Sequence, residues 1–96
     1  MFERLYDVSE STTVEFFGYV SERARYDFAI VHTDSFFGKP LVVCMQTGRS
    51  SLLCADDAAN TEYLQKLYGI DTIEEAQELS VIMQQRLPFL ETKEQY

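Results

Sequence analysis

The chain has no tryptophan, one histidine, two cysteines, two prolines and four glycines among its 96 residues. Each scarcity excludes something. Two cysteines do not make a disulfide framework, and the Cys44-x₉-Cys54 spacing with His32 elsewhere matches no zinc ligand set. Few glycines and prolines rule out a Gly/Ser linker or a low-complexity tract. Long apolar runs are also missing. The longest, Leu41 to Met45, falls far below the ~18–20 residues of a membrane helix. The opening residues Met1-Phe2-Glu3-Arg4-Leu5-Tyr6-Asp7 mix charge with apolar groups and contain no signal-peptide h-region. A cytoplasmic protein with reduced thiols is expected.

Positive charge is the remaining scarcity. Eight Lys and Arg face sixteen Asp and Glu, for a net charge of −8. The deficit is uneven: residues 1–55 carry −2 and residues 56–96 carry −6. Nucleic acid binding rests on cations that neutralise phosphates, so that class of partner is disfavoured. What is present is apolar and aromatic: 46% hydrophobic residues, with seven Phe and six Tyr. Such a chain can offset its ordering entropy by burial. Its length fits one domain that hides about 60–65% of its unfolded surface.

The first half reads as strands. Thr13 to Val20 is rich in β-branched and aromatic residues. A polar turn at residues 21–24 follows, and Arg25 to Thr33 alternates, with Tyr26, Phe28, Ile30 and His32 on one side. Residues 34–39 connect to a third strand, Leu41 to Gln46, opened by Pro40 where no interior ladder bond is lost. Thr47-Gly48 signals a tight hairpin, and Arg49 to Cys54 returns.

The second half reads as helices. Asp56 or Asp57 can cap a helix along which Tyr63, Leu64, Leu67 and Tyr68 follow at helical spacing. Gly69 and Ile70 suit a Schellman end. Thr72 and Glu75 match a capping box for a second helix, with Ile73, Ala76, Leu79, Met83 and Leu87 inward and Pro88 as its stop. The expected fold is α+β: a four-stranded antiparallel β-meander followed by two C-terminal α-helices packed on one face. One domain over 1–96 is expected, with an N-terminal arm (1–12), sheet (13–54), helical pair (56–90) and frayed tail (91–96).

Three stretches carry a resemblance: Met1-Phe2-Glu3-Arg4-Leu5-Tyr6-Asp7, Arg25-Tyr26-Asp27-Phe28-Ala29-Ile30-Val31, and the block from Phe36 to Asp57. With Glu62-Tyr63-Leu64-Gln65 and Glu75-Ala76-Gln77-Glu78-Leu79, they span nearly the whole chain. The sequence resembles a family of short Firmicutes proteins known only as a domain of unknown function. The resemblance implies a bacterial cytoplasmic protein and supplies no catalytic, cofactor or metal residue.

Residue chemistry gives few candidate sites. In a hairpin with a two- or three-residue turn, Cys44 and Cys54 lie roughly 10–13 Å apart along the ladder, too far for a disulfide. Both are expected to be buried thiols. His32 falls about 10 Å from Cys44, beyond the reach needed to activate a nucleophile. Glu74, Glu75 and Glu78 suit a solvated first turn better than a hard-metal site. Arg23, Arg25 and Arg49 gather at one end of a meander and could bind an anion, unless Glu22 and Asp27 neutralise them.

An apolar surplus on the strands points to a partner. Phe16 and Phe17 are adjacent, and Leu41 to Met45 is apolar on both faces. Whichever parity the helices cover, the other keeps Phe17 and Tyr19, or Phe16 and Val20. The favoured reading is a non-enzymatic homodimeric interaction or regulatory module with an unidentified protein partner, no cofactor and no metal. Its interface residues are taken as Phe17, Tyr19, Phe36 and Phe37. The alternative is a small-ligand or anion-binding protein using Arg23, Arg25 and Arg49.

Overall fold

A computed structural model describes residues 6–89. Strands β1 (Thr13–Val20), β2 (Arg25–His32), β3 (Leu41–Cys44) and β4 (Ser50–Leu52) form one antiparallel sheet in the order β1-β2-β3-β4. Helices α1 (Ala55–Ala58), α2 (Thr61–Tyr68) and α3 (Ile73–Arg86) follow. The expected meander and its C-terminal helices are therefore present. The N-terminal Phe2 and Leu5 and the expected tail at 91–96 lie outside the described residues.

Register decides which face the helices cover. Phe17 pairs with Phe28, and Phe28 pairs with Cys44. Side chains alternate across a strand, so Phe17, Tyr26, Phe28, Ile30, Val42 and Cys44 share one face. All six are buried against Leu64, Tyr68, Ala76, Leu79 and Met83 from the helices. Burial of a side chain the size of Phe28 contributes about 1.5–3 kcal/mol. Phe28 stacks on Phe17 at 5.2 Å and meets the edge of Tyr68 at 5.1 Å. The Tyr68 hydroxyl donates to the Val42 carbonyl at 2.8 Å. That bond satisfies the one polar atom this aromatic brings into the core, and burial raises its pKa.

Two expected boundaries shift. The hairpin turn spans four residues, Met45 to Gly48, in place of the tight Thr47-Gly48 turn. Cys44 N–H donates to Arg49, and Gly48 N–H to Cys44, at 2.9 and 2.7 Å. Tertiary contacts to β2 explain it: Met45 N–H donates to the Asp27 carbonyl, and the Gln46 side chain bonds both the Asp27 amide and its carboxylate. With residues 45 and 46 held by β2, β3 ends at Cys44 and β4 starts only at Ser50. Gly48 still takes the left-handed conformation, at φ 77°.

The first expected helix is two. α1 is capped by Cys54, whose amide donates to Asp57, and it stops at Ala59. Asn60 then caps α2 by accepting from the Tyr63 amide at 3.1 Å. Asn competes for backbone donors and prefers a cap to a helix interior, so the break falls there. The other end of α2 is the expected Schellman motif: Gly69 has φ 66°, and Ile70 N–H donates to the Gln65 carbonyl at 3.0 Å. α1 is clipped to the C-terminal segment by Ala55 N–H donating to Pro88 and by Ser80 donating to the Ala58 carbonyl.

Candidate functional site

The seam between β1 and α3 fixes several of the candidate residues. Arg86 sits with its guanidinium carbon 5.0 Å over the Phe17 ring and reaches Glu15 at 3.8 Å. Further along, the Tyr19 hydroxyl donates to Glu78, and the Ser21 hydroxyl donates to Glu75. Phe17 and Tyr19 are thus committed to α3. Their assignment as exposed interface residues is corrected: register puts their parity under the helices, and Phe16 and Val20 take the open side.

The open face is apolar. Phe16 is 69% exposed and Val20 71%, with Val14 and Met45 also exposed. Val31, Leu41, Val43 and Leu52 lie partly buried across the neighbouring strands. Among the described residues, charge on this face is limited to Arg25 and Asp27, which bond each other at 2.9 Å. Asp27 is held below the usual carboxylate range, first by the Gln46 amide and then by Arg25.

Phe36 and Phe37 stand at the β2–β3 connection, beyond one end of the sheet. Both adopt positive φ, at 56° and 63°, and Gly38 continues the run at 78°. A left-handed conformation costs a non-glycine residue roughly 1–2 kcal/mol. Neither ring folds back onto the core, and Phe37 is 97% exposed. Strain of this kind marks a loop whose shape is imposed by use or by its neighbours.

The three arginines do share one end of the sheet, yet they do not converge. Arg25 is neutralised by Asp27, the alternative that the sequence left open. Arg49 turns to the C-terminal end of α2, within 3.5 Å of the Lys66 and Leu67 carbonyls, where a cation complements the helix dipole. Arg23 lines an acidic cleft of about 390 Å³ with Tyr19, Ser21, Glu22, Thr72, Glu74, Glu75 and Glu78.

Glu75 departs from expectation. Its amide donates to Thr72 as a capping box requires, but its carboxylate turns away from the cap to Ser21. It is 5% exposed and so does not belong to a solvated face. Sequence spacing placed Glu75 correctly at the helix start, and only the β1–β2 turn packed above it explains its burial.

The remaining candidates are accounted for locally. His32 meets Glu15 at 2.8 Å. With Phe28 opposite Cys44, His32 lies four residues further along β2, about 13 Å away. Both cysteines are free and buried. Cys54 caps α1 beside Asp57, which also accepts from Lys39 at 2.9 Å. No helix among the described residues is long and apolar enough to cross a membrane.

Fold and surface together define a small α+β protein: a meander covered on one face by helices and left apolar on the other. Its sequence matches the SAV0927-like family model over residues 5–85, and the chain belongs to that family of uncharacterised proteins. Comparison with curated proteins finds none that matches.

Proposed function

We propose that this chain is a homodimeric protein-interaction module whose two copies pack open sheet face on open sheet face. The observation that carries the reading is the contiguous apolar surface around Val14, Phe16, Val31, Leu41, Val43 and Leu52. Strand lengths of eight, eight, four and three residues give a face of roughly 350 Å² before side-chain relief, at ~3.3 Å per residue and ~4.8 Å between strands. Patches beyond a few hundred Å² mark interaction surfaces.

Charge selects the occupant. Two chains of net −8 repel unless the surfaces that meet are neutral. Among the described residues this face carries one internally balanced ion pair and otherwise apolar or small side chains, so a second copy can dock while the acidic surface stays in solvent. A two-fold axis pairs such a patch with itself, and face-to-face sheets pack about 10 Å apart. Phe36 and Phe37 extend the contact at one end. Two such faces come to roughly 700 Å², below the ~1,200 Å² at which stable interfaces begin, so the dimer is weak, reversible and concentration-dependent.

Light scattering across a concentration series tests the reading. The wild type should move to twice the 11.1 kDa of one chain. Phe16→Asp should stay at one chain while keeping its circular dichroism, because Phe16 contributes little to the core. A wild-type mass that stays at one chain into the hundreds of micromolar overturns it.

A further inference from the structure

The acidic cleft between the β1–β2 turn and the first turns of α3 is separate from the open face, and it contains a buried acceptor without a donor. Glu75 Oε2 accepts from Ser21, while Glu75 Oε1 is buried and has no hydrogen-bond partner among the described residues. Buried polar atoms in folded proteins are nearly always satisfied, and an orphan carboxylate oxygen is the costliest kind to leave. Two hydroxyls that share the cleft are already engaged. The Tyr19 hydroxyl is committed to Glu78, a bond that is the main reason its pKa is pushed up to about 12. Ser21 donates to Glu75 Oε2 and accepts from the Arg23 and Ala24 amides at 3.1 Å. Thr72 accepts from the Glu75 amide.

We infer that this cleft binds an organic cation, an ammonium or guanidinium head group whose N–H bonds supply the donor that Glu75 Oε1 lacks. The sign of the charge follows from the lining. Among the described residues of the lining, Glu22, Glu74, Glu75 and Glu78 are opposed by Arg23 alone. The positive end of α3 adds about half a charge, which four carboxylates outweigh. A volume of about 390 Å³ accommodates a small ligand or one long side chain. A hard metal ion fits less well, since it wants six or more oxygens at short range. Among the described residues no three His, Cys, Asp or Glu side chains converge to hold one. Planar guanidinium matches a carboxylate bidentately, and ammonium offers three donors. Glu75 is part of the lining, so a head group in the cleft meets its carboxylate.

The test is a titration of the full chain with 1,4-diaminobutane, methylguanidinium and a tetralysine peptide, followed by amide chemical shifts at about 0.15 M salt. Saturable shifts confined to residues 21–24 and 72–78 are expected. Glu75→Gln should weaken binding by at least about tenfold, and Arg23→Ala, which removes the cleft's own cation, should tighten it. Tighter binding of the free cations assigns a small-molecule ligand, and tighter binding of the peptide assigns a basic segment of a protein. Shifts spread evenly over the acidic surface, equal binding by Glu75→Gln, or no response to any probe overturns the site. No response would also mean that water satisfies Glu75. If Glu75→Gln does not fold, the wild-type shift map decides alone. Repeating the titration on Phe16→Asp separates this site from the dimer, because neither depends on the other.

Discussion

The two faces of the sheet are made from nearly the same residue types, yet one is a core and the other is a surface. Phe17 and Phe16 are neighbours in sequence: the first packs on Phe28 beneath α3, and the second is mostly exposed. Helices give the covered face its ordered contacts, with Tyr68 bonded to Val42 and Arg86 over Phe17. Among the described residues, the open face has apolar area without such specific partners. Apolar composition alone therefore does not make a core; directional contacts from a second layer do.

The sharpest way to break the comparison is to truncate an aromatic on each side. Phe28→Ala, at a fully buried site, should cost about 3–5 kcal/mol in urea unfolding. Phe16→Ala should stay within about 0.5 kcal/mol under dilute conditions where the chain is a monomer. Equal losses would show that the open face is covered within one chain.

A smaller effect tests how the covering layer is joined. Gly69 links α2 to α3 at φ 66°, and an added Cβ would lie 3.0 Å from the Arg49 guanidinium. Gly69→Ala should cost about 1 kcal/mol from the left-handed backbone, with Arg49 displaced from the α2 carbonyls. An unchanged urea midpoint would mean that the backbone at this junction relaxes freely.

The smallest effect concerns the pair that ties the sheet end to α1. Burial pushes the Asp57 pKa up, but hydrogen bonds from Cys54 and Lys39 bring it below the ordinary 3.8. A lowered folded pKa contributes stability above the unfolded value and loses it as pH falls through the folded one. Lys39 is raised above 10.5, mainly by its hydrogen bond to Asp57. Its contribution is therefore full below 10.5 and fades as pH rises through the raised value. Asp57→Asn should lower the unfolding free energy from urea titration at neutral pH by less than about 1 kcal/mol, since solvent screens the pair. The gap to wild type should narrow below about pH 4 and again above about pH 10.5. A pH-independent gap would assign the loss to capping alone.

Much of this architecture is legible in the residues. Thr13 to Val20 announces its strand, and Gly69 with Ile70 announces the left-handed helix end. The failures share one cause, which is that they depend on contacts distant in sequence. Gly48 marks a turn, but its four-residue length is set by Gln46 gripping Asp27 on another strand. Two adjacent phenylalanines cannot say which of them the helices will cover, because register with β2 decides. Glu75 reads as a surface cap until Ser21 is folded over it. Phe36 and Phe37 carry no signal of positive φ, a conformation that aromatic residues rarely adopt.

The clip on α1 also bears on the order in which the molecule can be built. Four residues are far too few to hold a helix in water, where about a dozen are needed. Its leading amide, on Ala55, is answered only by the Pro88 carbonyl, and the last carbonyl of α1, on Ala58, only meets Ser80 once α3 exists. On a ribosome the four strands emerge first and can pair among themselves, while residues 55–58 wait for a segment not yet made. α1 thus becomes helical only once α3 and Pro88 are in place, and protection of the Ala55 amide from exchange reports their arrival.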